Sequence, residues 1–241
     1  MGIYETNCNL IDKRIQAGLD KLSGNYTVTQ GSVPDEFSFL KIQNMEFNIS
    51  RYDISGVGNL VTMKCKSDAM QMDTFTLMPY MKNLPLFTTD YIYNGENRIF
   101  LNEIYDLSVK HDALYDRYID MFRAVDQRHK GLTDMPTKPC WYDDIRPVCI
   151  SKKTDASSDE ENLGIFAENL DIFIEMEKES EMLPYPERLK KWELNKDYAD
   201  RLVDCGGVST DVFKATLGAE KTHKFFDDIF FGTTVYAQEK S

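Results

Sequence analysis

Between Gln43 and Tyr105 the chain sets five short stretches close together: NMEFNIS, NLVTMKC, DTFTLMP, LFTTDYIY and NRIFLNEIY. Each is rich in β-branched and aromatic residues, and Gly, Asn, Asp or Pro punctuates the gaps, which is the pattern of short strands. Parallel neighbours need crossovers of about a dozen residues or more, and the links here are shorter. The segment must therefore double back on itself as an antiparallel meander. Asn94-Gly95-Glu96-Asn97 joins the last two stretches as a hairpin.

Helical spacing brackets this meander. Leu10, Ile11, Ile15, Leu19 and Leu22 predict an amphipathic helix over Asn9 to Leu22, placed to cover a sheet. After Leu107, Tyr115, Tyr118, Ile119 and Phe122 form one apolar stripe, and Ile165, Phe166, Leu170, Ile172 and Phe173 form another. Between them, Pro136 to Cys149 reads as extended, and Ser151 to Asn162 (SKKTDASSDEEN) as an exposed loop leading into a helix. Pro184 and Pro186 mark a further break. Two C-terminal helices follow, one with Val208, Val212, Phe213 and Leu217, the other with Phe225, Phe226, Ile229 and Phe230, separated at Gly218 as a helix C-cap. The fold class expected is α+β: a three-layer α/β/α sandwich with a central antiparallel β-sheet flanked by helices. With 241 residues and 42% hydrophobic content, the chain is expected to form one domain, residues 1–241, with a substantial core.

Several functions are disfavoured. A formal net charge of −12 argues against nucleic acid and anionic membrane surfaces as main partners. No apolar run approaches the roughly 20 residues that cross a bilayer, and MGIYETNCNL lacks the basic-then-apolar order of a secretory signal. Cys8, Cys65, Cys140, Cys149 and Cys205 have no CxxC spacing, and with three histidines they form no metal-ligand cluster. Reduced cysteines in a reducing compartment such as the cytoplasm are expected.

Within LPLFTTDYIY one residue is out of keeping. Asp90 is an acid inside a strand expected to be buried, where desolvation raises the proton affinity of a carboxylate. On the residues alone, an Asp near a strand end bonded to neighbouring backbone serves as well as a chemical role.

LPLFTTDYIY, a second strand with DLS, then KPCWYDDI, an acidic helix opening near Glu160, and FKATLGAEKTHKFFDDIFF follow one another from about Asn59 to Phe231. In that order they resemble the ferredoxin-dependent bilin reductase family. The resemblance implies an open-chain tetrapyrrole, biliverdin or a dihydrobiliverdin, held between the sheet and the C-terminal helices. It implies reduction by electrons from ferredoxin, one at a time through bilin radicals, with no bound metal or flavin. The absence of GxGxxG agrees. Asp90 falls on the family's central aspartate and is the expected proton donor. Thr74 falls where phycocyanobilin-type members carry His and phycoerythrobilin-type members Asn, and Lys64 or Lys66 stands where the former carry Glu. The resemblance is thus to the phycoerythrobilin type. Thr76, Phe87 and Val212 are further candidates for contact with the bilin.

The C-terminal acid is the main departure. Counting back from Gly218 puts Gly207 where the family has Asp. Asp204 and Asp211 flank it: Asp204 is the candidate for a displaced catalytic acid, and Asp211 is expected in the first turn of a helix capped by Ser209. Asp73 is expected to be solvated on the opposite sheet face, and His129 and His223 to be surface or helix-end residues. Arg188, Lys190, Lys191 and Lys196, or Lys214, Lys221 and Lys224, could form a basic patch for an acidic ferredoxin. Two other readings stay open: an enzyme like red chlorophyll catabolite reductase, and a non-catalytic bilin-binding protein.

Overall fold

The computed structural model describes residues 2–68, 70–207 and 210–237. Two short strands, β1 (Val28–Gly31) and β2 (Phe39–Ile42), precede the expected meander of β3 (Met45–Ile54), β4 (Gly58–Lys66), β5 (Gln71–Pro79), β6 (Leu86–Asn94) and β7 (Asn97–Tyr105). Two more, β8 (Thr133–Asp134) and β9 (Val148–Asp155), complete a nine-stranded sheet. Its order is β1-β3-β4-β5-β6-β7-β9-β8, with β2 also on β3, and every pairing is antiparallel. The β6–β7 hairpin closes on Asn94 opposite Asn97, and Gly95 takes the positive φ of 59° that the turn requires.

Helices cover both faces. On one lie α1 (Ile3–Ser23), α3 (Ala113–Arg128) and α4 (Asp159–Glu179); on the other lie α5 (Tyr185–Asp204), α6 (Thr210–Leu217) and α7 (Ala219–Phe225), the last running into a π turn at Phe226–Phe230. A single turn, α2 (Asp35–Ser38), packs beside β2. Side chains alternate along each strand, so two cores form. Phe75, Leu77, Phe87, Tyr91 and Phe100 face α1, α3 and α4, while Val61, Met63, Met78, Leu86 and Tyr105 face α5 to α7. The α/β/α sandwich is therefore observed, as is the break at Gly218, which has φ 80° between α6 and α7. The expectations for Val208 and Ser209 lie outside the described residues.

Two polar stretches were misread in the sequence. Ser151 to Asp155 is not a loop: it is the second half of β9, with Ser151 and Lys152 buried. Lys152 keeps its charge there because Asp126 at 2.7 Å and Asp134 at 2.5 Å meet its ammonium. Asp73, expected in solvent, has 0% exposure. It does lie on the face opposite Asp90, but α1 covers that face, and Arg14 descends from α1 to ion-pair with it. The Arg14 guanidinium also donates to Thr89 Oγ1 at 2.8 Å and lies 4.0 Å from the centre of the Tyr91 ring. Aspartate at this depth persists only because its counter-charge is buried with it.

Lys191, expected in a basic surface patch, is also wholly buried. Its ammonium donates to the carbonyls of Leu84 and Leu107, each at 2.6 Å, pinning α5 to the segments that precede β6 and follow β7. Burial pulls its pKa down to about 7.

Two outcomes follow from these buried charges. Arg14→Ala should cost about 3–5 kcal/mol in urea denaturation, since it strands Asp73 unpaired, and Arg14→Met with Asp73→Leu should recover most of that loss. Between pH about 7 and the ordinary lysine value of about 10.4, the unfolded chain binds the Lys191 proton and the folded chain does not, so stability climbs with pH across that window. Denaturation of Lys191→Met over the same range should show a smaller climb.

Candidate active site on the sheet face beneath the C-terminal helices

In β6, Leu86, Thr88, Asp90 and Ile92 share the face turned to α5–α7, because Leu86 packs there and the side-chain period is two. Across the register, Asp90 lies opposite Thr74 of β5 and Leu101 of β7, while Thr88 lies opposite Thr76 and Glu103. The Thr74 hydroxyl donates to Asp90 Oδ1, and the Thr76 and Thr88 hydroxyls bond to each other at 2.6 Å. Around this polar strip, Met72, Ile92, Ile99 and Leu101 are only half-buried. The helices thus cover this part of the sheet face incompletely, and Asp90 lies among these half-buried apolar side chains.

Asp90 is surrounded by protein yet keeps part of its own surface accessible. Burial pushes its pKa above the ordinary aspartate value, against the opposing pull of the Thr74 hydrogen bond and of Arg14 across the sheet. Tyr91 and Phe87 point to the other face, where Phe87 packs against Phe173 at 5.8 Å between ring centres. Phe87 is therefore a core residue and not a wall of this cleft, for the reason that it stands an odd number of positions from Asp90.

Thr74 and Thr76 lie on the Asp90 face, both nearly fully buried. Val212 is half-buried on α6, on the same side of the sheet, packed against the aromatic cluster formed by α6, α7 and the π turn. Asp204 ends α5 with its side chain 67% exposed and meets His223 Nε2 of α7 at 3.0 Å. The structure thus does not bring Asp204 together with Asp90. Asp211 occupies the first turn of α6, as expected, and is exposed. His223 and Asp227 also approach Asp200, with donor atoms within 4.8 Å, and Lys196 ion-pairs with both carboxylates. That group is an ion-pair network, with the charge a cation would meet already offset.

Glu103 was missed. It is 6% exposed, on the Asp90 face of β7, and its Oε1 accepts both from the Arg146 guanidinium and from Cys149 Sγ, the latter at 3.7 Å. The only sequence signal was its even spacing from Leu101 and Tyr105 in NRIFLNEIY, which assigns a face but no partner. Of the basic residues expected to form patches, Lys221 and Lys224 both meet Glu36, and Lys214 donates to the Val203 carbonyl at 2.7 Å.

Among solved structures, this architecture is shared with the crystal structure of phytochromobilin synthase from tomato in complex with biliverdin. The match has a TM-score of 0.75 and 14% identity, covering 95% of this chain and 85% of that one. No protein-family model and no curated protein matches the sequence. Among the described residues, no helix is long and apolar enough to cross a membrane.

An acid whose folded pKa is raised contributes most to stability below its unfolded pKa, and that contribution is lost as pH rises through the folded value. Asp90→Asn should therefore raise the melting temperature near neutral pH and lose this advantage below about pH 4, the ordinary aspartate range. A melting temperature for the variant at or below that of the parent at neutral pH would contradict the raised affinity.

Proposed function

We propose that the chain is a ferredoxin-dependent bilin reductase, which reduces biliverdin or a dihydrobiliverdin to a phytobilin by alternating electron and proton transfer. The observation that carries this is the Asp90 carboxyl, held by Thr74 on a partly uncovered apolar floor between the sheet and the C-terminal helices. A fold shared with a biliverdin-bound synthase supports it. A flat conjugated ligand would cover Met72, Ile92, Ile99 and Leu101 and bring its pyrrole edge over Asp90. Burial lets Asp90 keep its proton nearer to neutral pH than an exposed aspartate can, so it is available as an acid once the ligand accepts an electron. Thr74 holds that carboxyl in place and can bond a lactam, but cannot donate a proton as an acid.

Electrons come from reduced ferredoxin, one at a time, and the chain itself needs no resident metal or flavin in this reading. Thr74, in place of an acid or imidazole, favours the phycoerythrobilin type over the phycocyanobilin type. One observation favours a second reading. Asp204 is exposed and bound to His223, and Gly207 has no carboxyl to offer, so a protein that binds bilin without reducing it would look the same on the C-terminal side.

Mixing the protein with biliverdin should shift the visible spectrum of the pigment. Adding reduced ferredoxin should then convert it to a species with a shorter conjugated system. In Asp90→Asn the shift should persist while turnover falls about 100-fold or more, the usual share of a positioned acid. A shift without turnover in the parent would select the non-catalytic binder. No shift with any open-chain tetrapyrrole would remove the reading.

A further inference from the structure

We propose that Glu103 is the second acid of this cleft, and that Asp90 and Glu103 together supply the two protons consumed when one double bond of the bilin is reduced. The inference rests on the bilin-reductase reading and names what that reading lacks. Saturating one double bond takes two electrons and two protons. Two reduced ferredoxins supply the electrons, each losing one. One proton comes from each carboxyl, which leaves two carboxylates to be reprotonated from solvent. A single acid would have to reload in the middle of the reaction.

The geometry singles out Glu103. Thr88 is its direct partner across the β6–β7 register and Leu101 is that of Asp90, so the two acids are diagonal neighbours on the same face. Such positions stand about 7–8 Å apart. Asp204, the acid expected from the sequence, is instead 67% exposed and engaged by His223. Glu103 is buried, and its side chain is held from the β9 side by Arg146, which is itself fixed by Asp143 at 2.6 Å and Thr137 at 3.2 Å.

The groups facing Glu103 are Arg146 and Cys149 from the β9 side, Asp90 from β6, Tyr105 from its own strand, and Tyr142 and Tyr198 from the segments packed above. Burial pushes its pKa up, Arg146 pulls it back, and the charge of Asp90 pushes it up again. A negative charge on Asp90 thus favours the protonated form of Glu103. Arg146 then meets the charge that donation leaves on Glu103, as Arg14 does for Asp90 from beneath the sheet.

The test starts from parent protein shown to turn over biliverdin with reduced ferredoxin; failure at that step removes the bilin-reductase reading itself. In Glu103→Gln, biliverdin should bind within about threefold of the parent, while kcat falls about 100-fold or more and a one-electron bilin radical builds up in electron paramagnetic resonance. Glu103→Asp should restore part of the rate, and the pH profile of kcat should lose one of its two ionisations. An unchanged kcat and pH profile in Glu103→Gln, or loss of biliverdin binding with no radical, would overturn the proposal while leaving the reductase reading in place. If Glu103→Gln does not fold, infrared spectra of the parent labelled with carbon-13 glutamate decide. A protonated glutamate band surviving above the ordinary carboxylate range supports Glu103 as an acid, and no such band overturns it.

Discussion

The register of β5 against β6 governs both halves of this molecule. Asp73 and Thr74 are adjacent on β5, opposite Tyr91 and Asp90 of β6. Alternation sends Asp73 to the face under α1 and Thr74 to the face under the C-terminal helices. A slip of one residue would reverse every side chain of the strand, placing Asp73 in the cleft and Thr74 against Arg14. The Arg14–Asp73 pair forbids this, since either ion left alone in the core would cost several kcal/mol. A salt bridge on the closed face thereby holds the register that presents Asp90 on the open one.

The two faces differ in how completely they are covered. Beneath α1, α3 and α4 the sheet carries Phe75, Phe87 and Phe100, all fully buried. Beneath α5–α7, helices and aromatic rings close over Met78, Leu86 and Tyr105, aided at the far end by Gly232, where a Cβ would lie within 2.8 Å of the Asn59 side chain. Farther along the same strands, Met72, Ile92, Ile99 and Leu101 remain half-buried. Apolar side chains left in contact with water forgo about 25 cal/mol for each Å² that a cover would remove. The half-buried side chains around Asp90 mark the part of this face that the helices cover least completely among those named.

The meander, its hairpin, the flanking helices and the break at Gly218 were legible because each rests on local pattern: β-branched runs, turn residues, helical spacing and glycine conformation. The burial around Asp90 was legible for the same reason, since the acid is set in an apolar run. Long-range pairing decides the remainder. SKKTD has no apolar alternation, and it becomes a strand because β7 offers an edge and two aspartates meet Lys152. Lys191 belongs to a polar helix segment, and only the carbonyls of Leu84 and Leu107, remote in sequence, give it reason to be buried. Phe87 could have been excluded from the cleft by parity alone, since it lies three positions from Asp90. Glu103 could not have been promoted, because its significance comes from Arg146 and from a strand pairing absent from the local sequence.

Burial by itself makes a poor proton donor. It raises the affinity of a carboxyl for its proton, but the carboxylate left after donation then bears the same desolvation cost. In the roles proposed for them, Asp90 and Glu103 meet this cost in different ways. Arg14 reaches Asp90 through the thickness of the sheet, opposing the raised affinity without touching the carboxyl from the ligand side. Arg146 meets Glu103 directly and from the side. In both cases the guanidinium is fixed by other bonds, to Asp73 and Thr89 in one case and to Asp143 and Thr137 in the other. A fixed counter-charge lowers the cost of each carboxylate without needing to move as charge develops, which is the condition for electrostatic assistance inside a low-dielectric site. The same buried arginine that holds the sheet in register thus lowers the cost of a charged Asp90.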